Sequence, residues 1–184
     1  MPVKNVHSPP NVPSSPEEVR MQCRSGDWQT QTSGLAPGYA QANLVILPRE
    51  DADEFRQFCE LNPKPCPLLE MTEPGCHSLA RLAESADLRT DLPMYRVWRD
   101  GVLADEVQNI AHLWQDDLVS FLIGCSFTFE AALIENQIPV RHIELGRNVP
   151  MFQTNIPCEP AGNFHGPIVV SMRPLKPAEA IRAV

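Results

Sequence analysis

The segment Gly124-Cys125-Ser126-Phe127-Thr128-Phe129-Glu130 puts a thiol and a hydroxyl in a tight turn that leads into a predicted helix. Free backbone N–H groups at a helix start favour anions and thiolates, which makes Cys125 and Ser126 candidates for catalysis. A structural reading competes: Ser126 or Thr128 caps the helix while Cys125 fills a gap beside Phe127. A nucleophile also needs a base within reach, and the segment offers no obvious one.

Three further groups of residues could bear chemistry. Arg141 and His142, followed by Glu144, fall on a predicted strand over 138–145, where alternation sends Arg141 and His142 to opposite faces. Arg173 ends the apolar run IVVSM just before Pro174. Ligands bind at strand ends in open α/β sheets, and a guanidinium there could hold a carboxylate bidentately or make an ordinary ion pair. The stretch 31–43 carries Gly34, Gly38, Tyr39, Gln41 and Asn43, which could shape a small-molecule pocket through backbone N–H groups or pack as a polar loop. It lacks the glycine spacing that cradles phosphates, and no nicotinamide or flavin fingerprint is present, so no cofactor is expected. No CxxC or HxxxH occurs, the nearest grouping being Cys66 with Cys76 and His77 in a stretch read as loop, and no metal is expected.

The elements that must position these residues read as a mixture. Ser15, Pro16 and Glu18 form an S-x-x-E box that predicts a short helix to about Arg24, ended by Ser25 and Gly26. QANLVIL, residues 41–47, is nearly continuously apolar and reads as a central strand covered on both faces. Phe55, Phe58, Cys59 and Leu61 recur at helical spacing after Asp51 or Asp53, until Asn62 and Pro63 stop the helix. PLLEM, residues 67–71, supplies a second strand, and a short helix is expected around Leu79–Leu82. Met94–Trp98 and Val102–Glu106 flank Asp100-Gly101 as a hairpin. Residues 116–123 read as a helix begun by Asp116 and Asp117 and closed by Gly124, with a second helix at about Thr128–Asn136. Met151–Ile156 and Pro167–Met172 read as strands, and Pro177 opens a last helix. The fold class expected is α/β with an α+β part: mixed sheets with antiparallel hairpins, covered by helices, in two intimately packed subdomains.

The chain has 184 residues, 15 basic against 23 acidic, a net charge of −8, and a pI near 5.1, so its field repels phosphate backbones and no nucleic-acid partner is expected. No apolar stretch approaches the ~20 residues of a membrane span, so no membrane association is expected. Nineteen prolines imply many irregular connections, and those crowding the start mark residues 1–13 as a flexible arm without a secretory or transit signal. The cytoplasm follows as the default, and with it six reduced cysteines. No repeat is present.

The runs GLAPGYAQANLVILP (34–48), FCELNPKPCPLLE (58–70), ADLRTDLPMYRVWRDG (86–101), DDLVSFLIGCSFTFEAAL (116–133), IPVRHIELGRNVPMFQTNIPC (138–158) and GPIVVSMRP (166–174) strongly resemble the hydro-lyase family also called the D-glutamate cyclase family. The resemblance is colinear over about residues 15–184. It implies a two-part α/β and α+β fold over 14–184 and lyase chemistry, in mitochondrial relatives the conversion of D-glutamate to 5-oxo-D-proline and water. It also implies that the family pattern runs on past Val184 into H-G-x-P-V-H and G-D-P elements, so that the chain corresponds to a C-terminally shortened member.

Under that resemblance the expected ligand is a small amino dicarboxylate or 5-oxoproline, with room for a homo-oligomer. Closing a lactam needs an anchor for a carboxylate, a base to free the amine and donors for the oxyanion. Arg173 or Arg141 is the expected anchor, Glu130 or His142 the acid/base, the Cys125/Ser126 turn the oxyanion donor, with Tyr39 and Asn43 also on the substrate. The alternatives are a catalytically inactive small-carboxylate-binding or regulatory module, or a truncated family member.

Overall fold

The computed structural model describes residues 13–184. The arm expected over 1–13 lies outside the described residues except for Pro13, which is buried. In chain order the elements are α1 (Pro16–Ser25), β1 (Ala42–Pro48), α2 (Arg49–Leu61), β2 (Leu68–Met71), β3 (Tyr95–Arg99), β4 (Val102–Val107), β5 (Leu118–Gly124), α3 (Glu130–Glu135), α4 (Arg141–Glu144), β6 (Met151–Pro157), β7 (Pro167–Ser171) and α5 (Pro177–Arg182). They make a mixed α/β fold in which three sheets, β1-β5-β2, β3-β4 and β6-β7, are all antiparallel.

Local chemistry sets several of these elements. The Ser15 hydroxyl accepts from Glu18 N–H at 3.2 Å while the Glu18 carboxylate accepts from Ser15 N–H, the reciprocal box that starts α1. Asp100 and Gly101 take φ of 50° and 74°, the left-handed pair that a two-residue hairpin turn requires.

The core is built on β5, the central strand. Val119, Phe121 and Ile123 point to one face and pack on Ala52, Phe55 and Cys59 of α2. The Phe55 and Phe121 rings meet edge-on with centroids 4.9 Å apart. Leu122 points to the other face, against Leu79, Ala86 and Leu88. That second cover is irregular chain, held by a buried carboxylate: Glu70 accepts from the N–H groups of Ala80, Arg81 and Leu82 at 2.8, 3.0 and 2.9 Å.

Four expectations are corrected. Residues 116–123 form no helix: LVSFLI is equally compatible with a buried helix or strand, and pairing with β1 and β2 on both sides selects the strand. Residues 41–47 are an edge strand, not the central one; their continuous apolar character comes from α2 on one face and the Leu79–Leu88 chain on the other. The strand expected over 138–145 does not form: Ile138 and Val140 bury against Leu133 in irregular chain, and Arg141–Glu144 turn into α4. Around Leu79–Leu82 there is no helix; the chain is irregular there, with the N–H groups of Ala80, Arg81 and Leu82 all donating to Glu70. The helix expected at Thr128–Asn136 is present in two parts, a 3-10 turn over Ser126–Phe129 followed by α3.

None of the six cysteines is paired; burial, with Asp91 second, pushes the Cys23 thiol up to about 11, and burial, with Cys66 second, does the same to Cys59. Among the described residues no helix is long and apolar enough to cross a membrane.

Candidate functional site

The C-terminal end of β5, the 3-10 turn after it, the prolines before β2 and the β6-β7 hairpin enclose a half-open cleft of about 920 Å3. Gly124 permits the closest of these approaches: its N–H donates to Pro67 O at 2.8 Å, and a Cβ at Gly124 would stand 3.1 Å from Pro67 Cγ. The turn is locked from the other side by Gln41, whose N–H donates to Thr128 Oγ1 at 3.0 Å and whose carbonyl accepts from Cys125 N–H at 3.0 Å. Neither Ser126 nor Thr128 caps a helix through its side chain. Their hydroxyls are spent on long-range contacts instead.

Arg173, just past β7, organises the wall. Its Nη1 donates to Ser171 Oγ at 2.9 Å and its Nη2 to Ser126 Oγ at 3.2 Å, while the two hydroxyls lie 3.0 Å apart. The guanidinium carbon stands 4.6 Å over the Phe129 ring, a cation–π contact that holds the plane. Nε donates to Glu130 Oε1 at 2.8 Å, and Nη2 also reaches that oxygen. His142 lies on the far side of the same carboxylate, Nε2 3.1 Å from Oε1, with its ring 6.5 Å from that of Phe127. Glu130, His142 and Arg173 keep only 4%, 5% and 9% of their side-chain surface exposed.

Of the residues singled out from sequence, Cys125, Ser126, Asn43 and Arg173 line the cleft. Glu130 and His142 join them from behind, through Arg173, and do not face the cavity. Arg141 and Tyr39 are elsewhere: Arg141 is exposed on α4, and Tyr39 is 57% exposed on the surface of its loop. From that loop Ala40 lines the cleft, while Gln41 turns its amide inward to the carbonyls of Thr32 and Leu35.

Among the polar lining residues, Ser171, Lys64 and Asn148 escaped the sequence reading. Ser171 stands two positions before Arg173 on an extended chain, so it shares its face, and period-two alternation was the signal that could have found it. Lys64 sits between Pro63 and Pro65 with no spacing signal at all. With Arg173 it supplies the charge of the lining: among the described residues, both ionic side chains on the cleft wall are cations, in a chain of net charge −8.

Residues 119–184 match the family described as D-glutamate cyclase. Proteins named "Putative hydro-lyase" are 58% identical over 90% of this chain in Bordetella petrii, 60% over 92% in Bacillus licheniformis, and 56% over 94% in Geobacillus kaustophilus. The chain belongs to the hydro-lyase, or D-glutamate cyclase, family. It spans 63%, 64% and 66% of the length of those three relatives. The D-glutamate cyclase match takes in Cys125, Ser126, Glu130, His142, Ser171 and Arg173, whereas Asn43 and Lys64 reach the cleft from outside it.

Proposed function

We propose that the cleft is the carboxylate-holding part of a hydro-lyase site for a small amino dicarboxylate, and that the reaction is cyclisation of D-glutamate to 5-oxo-D-proline and water. The observation that carries this reading is the lining: among the described residues its ionic side chains are Lys64 and Arg173, and the carboxylate that pairs with Arg173, Glu130, lies behind the wall, which leaves Lys64 without a countercharge on the lining. Such a lining attracts a small anion that the rest of the surface repels.

In the reaction the amine nitrogen bonds to the side-chain carboxyl carbon and one carbon–oxygen bond breaks. The ammonium gives up two protons, and the departing oxygen takes both and leaves as water. Arg173 has one Nη1 N–H beyond those directed at Glu130, Ser126 and Ser171, and with Lys64 it holds a carboxylate. Of the paired hydroxyls of Ser126 and Ser171, oriented by the guanidinium, one donates to the other, and the second keeps its proton free as a donor for the oxyanion of the tetrahedral state. Cys125 supplies the thiol of the lining, a further group able to move a proton.

Purified protein incubated with D-glutamate, with L-glutamate as the chirality control, is expected to yield 5-oxoproline detectable by mass spectrometry. Product no higher than in a heat-inactivated control rejects the cyclase reading. The placement of Glu130 and His142 behind Arg173 favours a second reading, a carboxylate-binding module. A rise in melting temperature with glutarate or 5-oxoproline, without product, marks that outcome.

A further inference from the structure

Glu130 and His142 form a buried pair that is incomplete. The carboxylate uses Oε1 for both Arg173 contacts, whereas Oε2 has no hydrogen-bond partner. His142 Nε2 is within 3.1 Å of Oε1 but out of hydrogen-bond alignment, and it too is without a partner. A ring nitrogen left without a partner beside a buried carboxylate is favoured when it carries a proton directed at that carboxylate, and an imidazolium adds an opposite charge to the contact.

The charges give that proton a consequence. With a neutral imidazole the Arg173–Glu130 pair cancels, and the guanidinium offers a ligand little net attraction. With a protonated imidazole the three side chains sum to one positive charge behind the cleft wall. We infer that His142 is a proton-linked positioning residue: its protonated ring draws on Glu130, and Arg173 is left with net positive charge to hold a carboxylate ligand. This rests on the reading of the cleft as a carboxylate site. The groups that face His142 are Glu130 from α3, Arg173 beyond that carboxylate, and the uncharged Phe127 ring from the 3-10 turn; Arg141 and Glu144 of its own helix are exposed to solvent.

Linkage sets the sign. If protonation favours the carboxylate, the carboxylate favours protonation equally, so binding takes up a proton. Affinity is highest on the acid side of the histidine range and falls as pH rises through it, by up to about tenfold per pH unit.

Two measurements test this. In ligand-free protein the Arg173 Nε–H and His142 ring resonances are followed by NMR across about pH 5 to 8. The Arg173 resonance is expected to move with the midpoint of His142 in the wild type and to stay flat in His142→Gln. An Arg173 resonance indifferent to the His142 titration overturns the inference, and this wild-type arm decides alone if the variant does not fold. Calorimetry with glutarate, in buffers of different ionisation enthalpy, is expected to show proton uptake by the wild type and none by His142→Gln. Binding without uptake overturns the inference. Failure of glutarate to bind overturns the reading of the cleft, and the ligand-free titration still judges the coupling of His142 to Arg173.

Discussion

Two buried glutamates do opposite things in this molecule. Glu70, on β2, has both carboxylate oxygens engaged by three backbone N–H groups, and its work is to hold an irregular cover over the central sheet. Glu130, at the start of α3, crowds its partners onto one oxygen and leaves the other bare, and those partners are side chains that can move or titrate. A carboxylate satisfied by backbone is bound to the fold, because its donors cannot leave without unfolding the chain that bears them. A carboxylate held by a guanidinium and an imidazole keeps charge, protonation and orientation adjustable, which is what a site requires.

Mutations at the two glutamates should separate these roles. Glu70→Ala is expected to cost roughly 3 kcal/mol or more in urea unfolding, since three amides lose their acceptor together, while glutarate affinity of the folded protein stays at the wild-type level. Glu130→Gln keeps an acceptor for Arg173 but removes the countercharge. Its expected cost is no larger, roughly 3 kcal/mol, the low end for a buried charge that loses its countercharge, with a clear change in glutarate affinity measured by calorimetry. Equal effects of the two variants on stability and on affinity would erase the distinction.

Ser126→Ala sharpens the cleft side. Its hydroxyl caps no helix but bonds Ser171 and Arg173, so the expected stability loss is below about 1 kcal/mol, and the main effect falls on carboxylate binding. A loss confined to stability would move Ser126 to the structural side.

The smallest expected effect is one of pH. In the irregular cover the Arg89 side chain, hydrogen-bonded to Asp87, holds that carboxyl below its ordinary value. An unfolded aspartate titrates near ~3.9, so the stabilisation is complete above that pH and is lost as pH falls through the lower folded value. Arg89→Ala should therefore lower the melting temperature slightly near neutrality and flatten the acid limb, so that the variant and wild-type profiles converge at low pH. The irregular cover thus answers to acid through Asp87.

How much of this was legible depends on how local each signal is. The α1 capping box, the Asp100-Gly101 hairpin, α2 and the β6 and β7 strands were readable, because each is decided by neighbours within a few residues. The central strand β5 was misread because acidic residues before an apolar run, with glycine after it, satisfy helix and strand rules alike, and only the flanking strands decide. For the site, Cys125, Ser126 and Arg173 were marked by their places at a turn and a strand end. Lys64 was not, and Arg141 and Tyr39 were grouped with the site through a strand over 138–145 that does not form and a loop whose Tyr39 faces solvent.

By itself the sequence determined which segments curl or extend where caps, turns and spacing agree, the acidic character of the surface, and the polar residues gathered in the stretch 124–130 and near 173. Tertiary structure alone decided that β5 is a strand and that two cations share a cleft wall. It also decided that Glu130 and His142 stand behind Arg173 and away from the cavity. The reason is one of range: caps and turns act over a few residues, whereas Arg173 meets Glu130 and Ser126 across 43 and 47 positions of chain, and separations of that size are closed by packing, not by local preference.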